Sequence, residues 1–199
     1  MNDRILHIET NRLLLRIPKK DEANKVLDYF SRNTGHLKET NPPSPKGFFT
    51  HEYWEERLEK SIEEFRNDQS LRLFAFLKND PNKVIASINY TNFSRGPFQA
   101  CFLGYSICRD SEGKGLMTEA LQNTNAFVFE ELNFHRIMAN YLPENIRSAK
   151  LLERLNFSIE GEAREYLFIN GKWRDHVLTS LINLDWAPKV EDQYFASNS

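Results

Sequence analysis

The chain has 199 residues, of which 40% are hydrophobic and 13% aromatic, and a net charge of −2. This length and apolar content predict one domain with a substantial core, and fifteen phenylalanines exclude a disordered chain. The near-neutral charge gives no reason to expect nucleic-acid binding, which shows as a basic excess. The N-terminus has no apolar signal core and no apolar run is long enough to span a bilayer, so a cytoplasmic protein without a membrane partner is expected. Cys101 and Cys108 fall on opposite faces of one predicted strand, so they read as reduced thiols rather than a disulfide.

In chain order, Asn-Arg-Leu-Leu-Leu-Arg-Ile around Leu13–Leu15 predicts a first strand, ended by Pro18. Asp21 is placed to cap a helix with an apolar stripe of Ala23, Val26, Leu27 and Phe30. Asn41-Pro-Pro-Ser-Pro and Gly47 forbid regular structure, and a loop this long in a small domain is more often functional than idle. A second helix follows, with Trp54, Leu58, Ile62 and Phe65 on one face. Alternation then predicts strands through Leu71–Leu77 and Val84–Thr91, with Asp80-Pro-Asn as the turn between them and Arg95-Gly-Pro as the next.

Leu103, Tyr105 and Ile107 alternate as another strand, which breaks at Gly113 and Gly115. Leu116, Met117, Ala120, Leu121, Thr124 and Val128 then take up a helical period. A helix that starts at glycines aims free backbone N–H groups at one point, at the positive end of its dipole, where phosphate oxygens bind well. The spacing of a dinucleotide fingerprint or of a P-loop is absent. Ile137, Ala139 and Tyr141 mark a strand ended by Pro143, and Asn145 opens a helix carrying Ala149, Leu152 and Leu155. Asn170-Gly171 between two alternating runs predicts a hairpin. The order β-α-α-β-β-β-α-β-α-β-β predicts an α/β fold with a mixed, mostly antiparallel sheet and helices on both faces. The domain is expected to span residues 7–185, followed by a polar tail over 186–199.

Three segments carry a resemblance: Glu-Gly-Lys-Gly-Leu-Met-Thr-Glu-Ala-Leu, the run from His135 through Asn145 to Phe157, and the hairpin from Tyr166 to Leu178. Together they resemble the Gcn5-related N-acetyltransferases (GNAT), and among them the ribosomal-protein-alanine N-acetyltransferases of the Rim type. The resemblance implies a sheet splayed at a central bulge and acetyl-CoA as co-substrate. It implies that the N–H groups of Gly113, Lys114, Gly115, Leu116 and Met117 bind the pyrophosphate. The backbone of Ser106, Ile107 and Cys108 would hold the pantetheine, Asn145 would contact it, and Ser148 would hydrogen-bond the sulfur. Where the family usually has Gln or Arg, three residues before the first glycine, this chain has Asp110, so Arg109 or Lys114 is expected to supply positive charge. The implied acceptor is the N-terminus of a ribosomal protein. A small amine (an antibiotic, a polyamine or an amino acid) is the alternative, and a non-catalytic acetyl-CoA-binding ribosome-assembly factor is the third reading.

Acetyl transfer needs a neutral amine, a polarised thioester carbonyl, a stabilised oxyanion and a protonated leaving thiolate. An N-terminal amine with pKa near 8 is already about one-tenth neutral at pH 7, so a weak base suffices. Three positions where relatives carry an acid or base are Asn140, Leu152 and Leu167 here. Glu165 shares a strand face with Leu167, and counting outward from the turn sets Ile169 opposite Lys172 and Glu165 opposite His176, a proton relay. Glu162 and Tyr141 are the other candidates for the base. The five histidines and two cysteines show no metal-ligand spacing, so no metal is expected. Without a Gly-X-Ser-X-Gly signature, direct transfer in a ternary complex is expected, although Cys108 leaves an acyl-enzyme open.

Overall fold

The computed structural model describes residues 6–188. Eight strands make one sheet: β1 (His7–Glu9), β2 (Leu13–Arg16), β3 (Leu71–Leu77), β4 (Asp80–Ser94), β5 (Ala100–Ile107), β6 (Arg136–Tyr141), β7 (Ser158–Ile169) and β8 (Lys172–Ile182). Their order across the sheet is β1-β2-β3-β4-β5-β6-β8-β7. Every neighbouring pair is antiparallel except β5 with β6. That exception follows from α4 (Leu116–Glu130), which crosses over between those two strands. The other helices are α1 (Ala23–Arg32), α2 (Thr34–Leu37), α3 (His51–Arg66) and α5 (Ile146–Arg154).

The helices cover opposite faces of the sheet. On one side Leu116, Met117, Ala120, Leu121, Thr124 and Val128 of α4 are all buried, as their period requires. Tyr90 on β4 is fully buried there, and its hydroxyl stays satisfied by Thr124 at 2.7 Å and Asn125 at 2.6 Å. On the other side α1 and α3 meet the sheet through rings: Phe30 stacks on Trp54 at 4.8 Å, and both meet Phe74 edge-on. The same cluster pins the proline-rich loop, because the Trp54 indole donates to the Phe48 carbonyl at 2.8 Å.

The structure differs from the sequence reading at four local places. β1 and α2 are too short, at three and four residues, to leave a period in the sequence. Asp21 does not cap α1; residues Lys20–Glu22 form a 3₁₀ turn, and the Glu22 carboxylate accepts from the Lys19 N–H at 3.1 Å. The β3–β4 turn is Lys78-Asn79, with Leu77 opposite Asp80, so Asp80-Pro-Asn lies in β4 and register shifts after Ala75 absorb it. Finally, Trp186, the first residue of the expected tail, is held against the domain, its indole donating to the Asn133 carbonyl at 2.9 Å. Residues 189–199 of the expected tail lie outside the described residues.

Candidate active site

β5 and β6 pair from Ala100↔Arg136 to Leu103↔Ala139 and then part, leaving Gly104–Ile107 with β4 on one side and no strand on the other. The register shift in this part of the sheet falls in β4, between Thr91 and Ser94. The Cys108 N–H donates to the Ile85 carbonyl at 2.8 Å. Antiparallel ladders alternate, so Ser106 and Gly104 also turn their backbone groups to β4, whereas Ile107 and Tyr105 turn theirs into the gap. Of the three residues expected to offer backbone bonds to a ligand strand, Ile107 is in phase and Ser106 and Cys108 are not; Tyr105 takes their place. The Ser106 hydroxyl instead meets Tyr29 at 2.9 Å. The Cys108 carbonyl accepts from Ser111 at 2.9 Å, and its buried thiol lies 3.2 Å from Arg32 and 3.3 Å from Asn33.

Beyond β5 the chain makes one 3₁₀ turn (Arg109–Ser111) and reaches Gly113 and Gly115 at φ of 71° and 72°. Both conformations are left-handed and strain any residue with a β-carbon. Gly115 is the N-cap of α4, and the first bond back to it comes from Glu119, so the N–H groups of Leu116, Met117 and Thr118 lack helical partners. Gly113, Lys114 and Gly115 are exposed. An open loop with glycines at 113 and 115, followed by free N–H groups at a helix start, fits a phosphate ester. Arg109, Asp110 and Lys114 are all exposed beside it. The acid within the loop, Glu112, is ion-paired to Arg147 of α5 and lies 3.2 Å from His36.

The support for this loop comes from the far edge of the sheet. Arg12, in the β1–β2 turn, donates to Glu119 through Nε at 2.6 Å and through its own N–H at 2.7 Å. Its Nη1 holds the Lys114 carbonyl at 2.9 Å, and Thr10 adds a bond to Glu119 at 2.5 Å. Burial pushes the Glu119 carboxyl up, but the bonds from Thr10 and Arg12 outweigh it and keep it below its usual range. No local pattern pointed to Arg12.

On the opposite wall of the gap, Asn145 caps α5: its Oδ1 accepts from the Ser148 N–H at 3.1 Å. This fixes Ser148 on the first turn beside Tyr105. The Tyr105 hydroxyl is buried and closes no hydrogen bond among the described residues, although Ser148 is the polar group next to it. Burial raises the phenol to about 12, so it remains a donor at neutral pH.

A cleft of about 850 Å³ lies between the proline-rich loop, α3, the β3–β4 surface and the hairpin tip. Asn170-Gly171 makes the expected tight turn, with Ile169 opposite Lys172. The register then slips. Ala163 pairs with His176 and Leu167 with Arg174, so β7 carries two more residues than β8 in this stretch and Glu165 does not oppose His176. Glu165 sits exposed at φ 49°, its N–H donating to Asp175 at 2.7 Å. The proposed Glu165–His176 relay is therefore not assembled. The bulge places Tyr166 beside Asn140 instead: the Asn140 amide donates to the Tyr166 hydroxyl at 3.1 Å, and that ring lies 5.5 Å from His176. His176 is buried, with Nδ1 3.0 Å from the Arg174 carbonyl. A carbonyl only accepts, so Nδ1 carries the hydrogen in this contact, and Nε2 is the ring nitrogen left over. Asn140 is the first β6 residue past the last pair with β5, so this polar cluster stands at the mouth of the gap. Tyr141, next along β6, points to the opposite face, and Glu162 pairs with Val177 at an exposed position. Among the described residues, no cluster of His, Cys, Asp and Glu is arranged to hold a metal, and no helix is long and apolar enough to cross a membrane.

Residues 12–158 match the family described as acetyltransferase (GNAT) domain. The [ribosomal protein uS5]-alanine N-acetyltransferase of Escherichia coli (strain K12) is 41% identical over 183 residues, covering 92% of this chain and 94% of that protein. The crystal structure of ribosomal-protein-S5-alanine acetyltransferase from Vibrio fischeri superposes with a TM-score of 0.88 at 40% identity, over 92% of this chain and all (100%) of that one. Mycobacterium smegmatis RimJ, solved in complex with CoA-disulfide, shares the fold at a TM-score of 0.81 and 22% identity, over 88% of this chain and 86% of that one. The chain therefore belongs to the GNAT acetyltransferase family, with acetyl-CoA as its acyl donor.

Proposed function

We propose that the protein transfers an acetyl group from acetyl-CoA to the N-terminal alanine α-amine of a ribosomal protein, directly and in a ternary complex. The observation that carries this is the gap between β5 and β6 beside the glycine loop, next to a cleft large enough for a peptide end: Ser87 and Asn89 of β4, which line that cleft, pair with Ser106 and Gly104 at the gap. The 41% identity to an enzyme named for that acceptor supports the choice of amine. The reaction belongs in the cytoplasm and needs no contact with nucleic acid.

Acetyl-CoA supplies the acetyl group as a thioester. The N–H groups from Gly113 to Met117 hold its pyrophosphate, and the backbone of Tyr105 and Ile107 holds the pantetheine arm as an added strand, one N–H polarising the carbonyl. Ser148 donates to the sulfur, and Asn145 keeps Ser148 in place. The amine's proton passes to Nε2 of His176, directly or through the Tyr166 hydroxyl; Glu165 is the rival acceptor.

Acetylation assays on an alanine-initiated peptide, set against a panel of small amines, test the acceptor. Peptide turnover exceeding that of every small amine supports the reading; the reverse order overturns it. Ser148→Ala is expected to lower kcat by about tenfold with little change in the KM for acetyl-CoA, because a bond to the sulfur strengthens as charge develops there. Unchanged kcat under conditions where chemistry limits turnover would reduce Ser148 to a helix residue.

A further inference from the structure

The acceptor cleft carries a charge pattern that the transfer step does not use. Its charged lining residues are Lys38, Arg57 and Arg72, all cations. Among the described residues no carboxylate lines it, although the chain has 28 acidic and 26 basic residues. Arg57 of α3 and Arg72 of β3 share one carboxylate: Glu64 takes Nη1 of Arg57 at 3.1 Å as well as its Nη2, and Nε of Arg72 at 3.3 Å. Ser70 donates to the same carboxylate at 2.8 Å. Burial would raise the Glu64 carboxyl, but the bonds from Arg57 and Ser70 hold it at about 2, so it is ionised at any working pH. Two guanidiniums therefore face one carboxylate, with Lys38 adding to the excess. Among the described residues the two Nη groups of Arg72 take no partner, and its side chain is 32% exposed. Beyond the cost of burial, the charge of Arg57 acts against that of Arg72. A second carboxylate would relieve this repulsion and meet a planar pair of free donors.

We propose that this end of the cleft is a subsite for an acidic side chain of the acceptor, carried by a residue close behind the acetylated N-terminus. The proposal rests on the peptide-acceptor reading above and narrows it to N-termini that are followed within a few residues by Asp or Glu. Rings of Phe48, Tyr53 and Trp54 line the same cleft, so the chain between amine and carboxylate passes over apolar surface, where an ion pair is poorly screened.

The test is a set of alanine-initiated peptides carrying Glu, Gln or Lys scanned through positions 2 to 5, with kcat/KM measured for each at low salt. At one position the Glu peptide is expected to exceed its Gln isostere by about tenfold and the Lys peptide to fall below both. Arg72→Gln should shrink the Glu-to-Gln ratio to about twofold or less. Arg72→Lys should keep part of it, and Glu64→Gln, which removes the competing carboxylate, should raise it. These changes have opposite signs, so a general loss of folding cannot imitate them. Equal kcat/KM for Glu and Gln at all positions overturns the subsite but leaves the peptide reading intact, as does a preference that survives Arg72→Gln. Absence of acetylation on every peptide overturns both.

Discussion

Gly115→Glu is expected to weaken CoA binding by at least tenfold, about 1.4 kcal/mol, in titration calorimetry. Two effects combine. At φ 72° a side chain strains the turn that aims the first N–H groups of α4. The added carboxylate then stands where phosphate oxygens approach, at the positive end of the helix dipole. The ideal β-carbon at this position lies 3.6 Å from Nη2 of Arg12, so the new acid also competes with Glu119 for the residue that braces the loop. Gly115→Asn separates the causes. Asparagine tolerates the left-handed conformation and brings no charge, so its loss should be several-fold smaller. A Gly115→Glu protein that is folded and binds CoA as the wild type does would remove the pyrophosphate from this loop.

His176→Gln is expected to lower kcat/KM by about a hundredfold, the lower end of what a positioned base contributes, whereas Glu165→Gln should change it by less than about threefold. The asymmetry follows from the bulge in β7. His176 is buried beside Tyr166, with one ring nitrogen anchored at a carbonyl, while Glu165 is exposed and opposes Asp175 through its N–H. Tyr166→Phe should fall between them. The acid limb of the kcat/KM profile contains the titration of the amine as well as that of the base, so peptides with α-amines of different basicity must be compared. In the His176→Gln enzyme that limb should follow the peptide alone. If Glu165→Gln instead carries the large loss, the proton leaves by the bulge carboxylate and the polar cluster is structural.

The parts of this molecule that were legible in the sequence are those whose signal is local. The glycines at 113 and 115, the buried stripe of α4, the Asn145 cap and the Asn170-Gly171 turn each follow from a few adjacent residues, and each is where it was expected. Errors begin where phase or register is set by a partner outside the local run. Tyr105 rather than Ser106 faces the gap because the Cys108–Ile85 bond sets the alternation of β5, and that bond is not written in β5 itself. A turn fixes register only as far as the first bulge, so counting outward from Asn170 was right at Ile169 and wrong at Glu165. Arg12 and the Asn140–Tyr166 contact join positions far apart in the chain, where periodicity has nothing to say.

The parallel seam between β5 and β6 has a mechanical meaning. The sheet is two antiparallel halves, the meander β1 to β5 and the group β6-β8-β7, and four residue pairs stitch them together. Beyond those four pairs the seam stays open, so without the donor it lacks a strand's length of cross-links. A donor lying in the seam completes the weave. Its binding free energy is thereby linked to the union of the two halves as well as to the ligand's own contacts. Local opening along this line should be easiest without the donor, and the β6-β8-β7 half, which carries Tyr166 and His176, becomes firm when the acyl group is in place. An assembly of this kind favours loading the donor first.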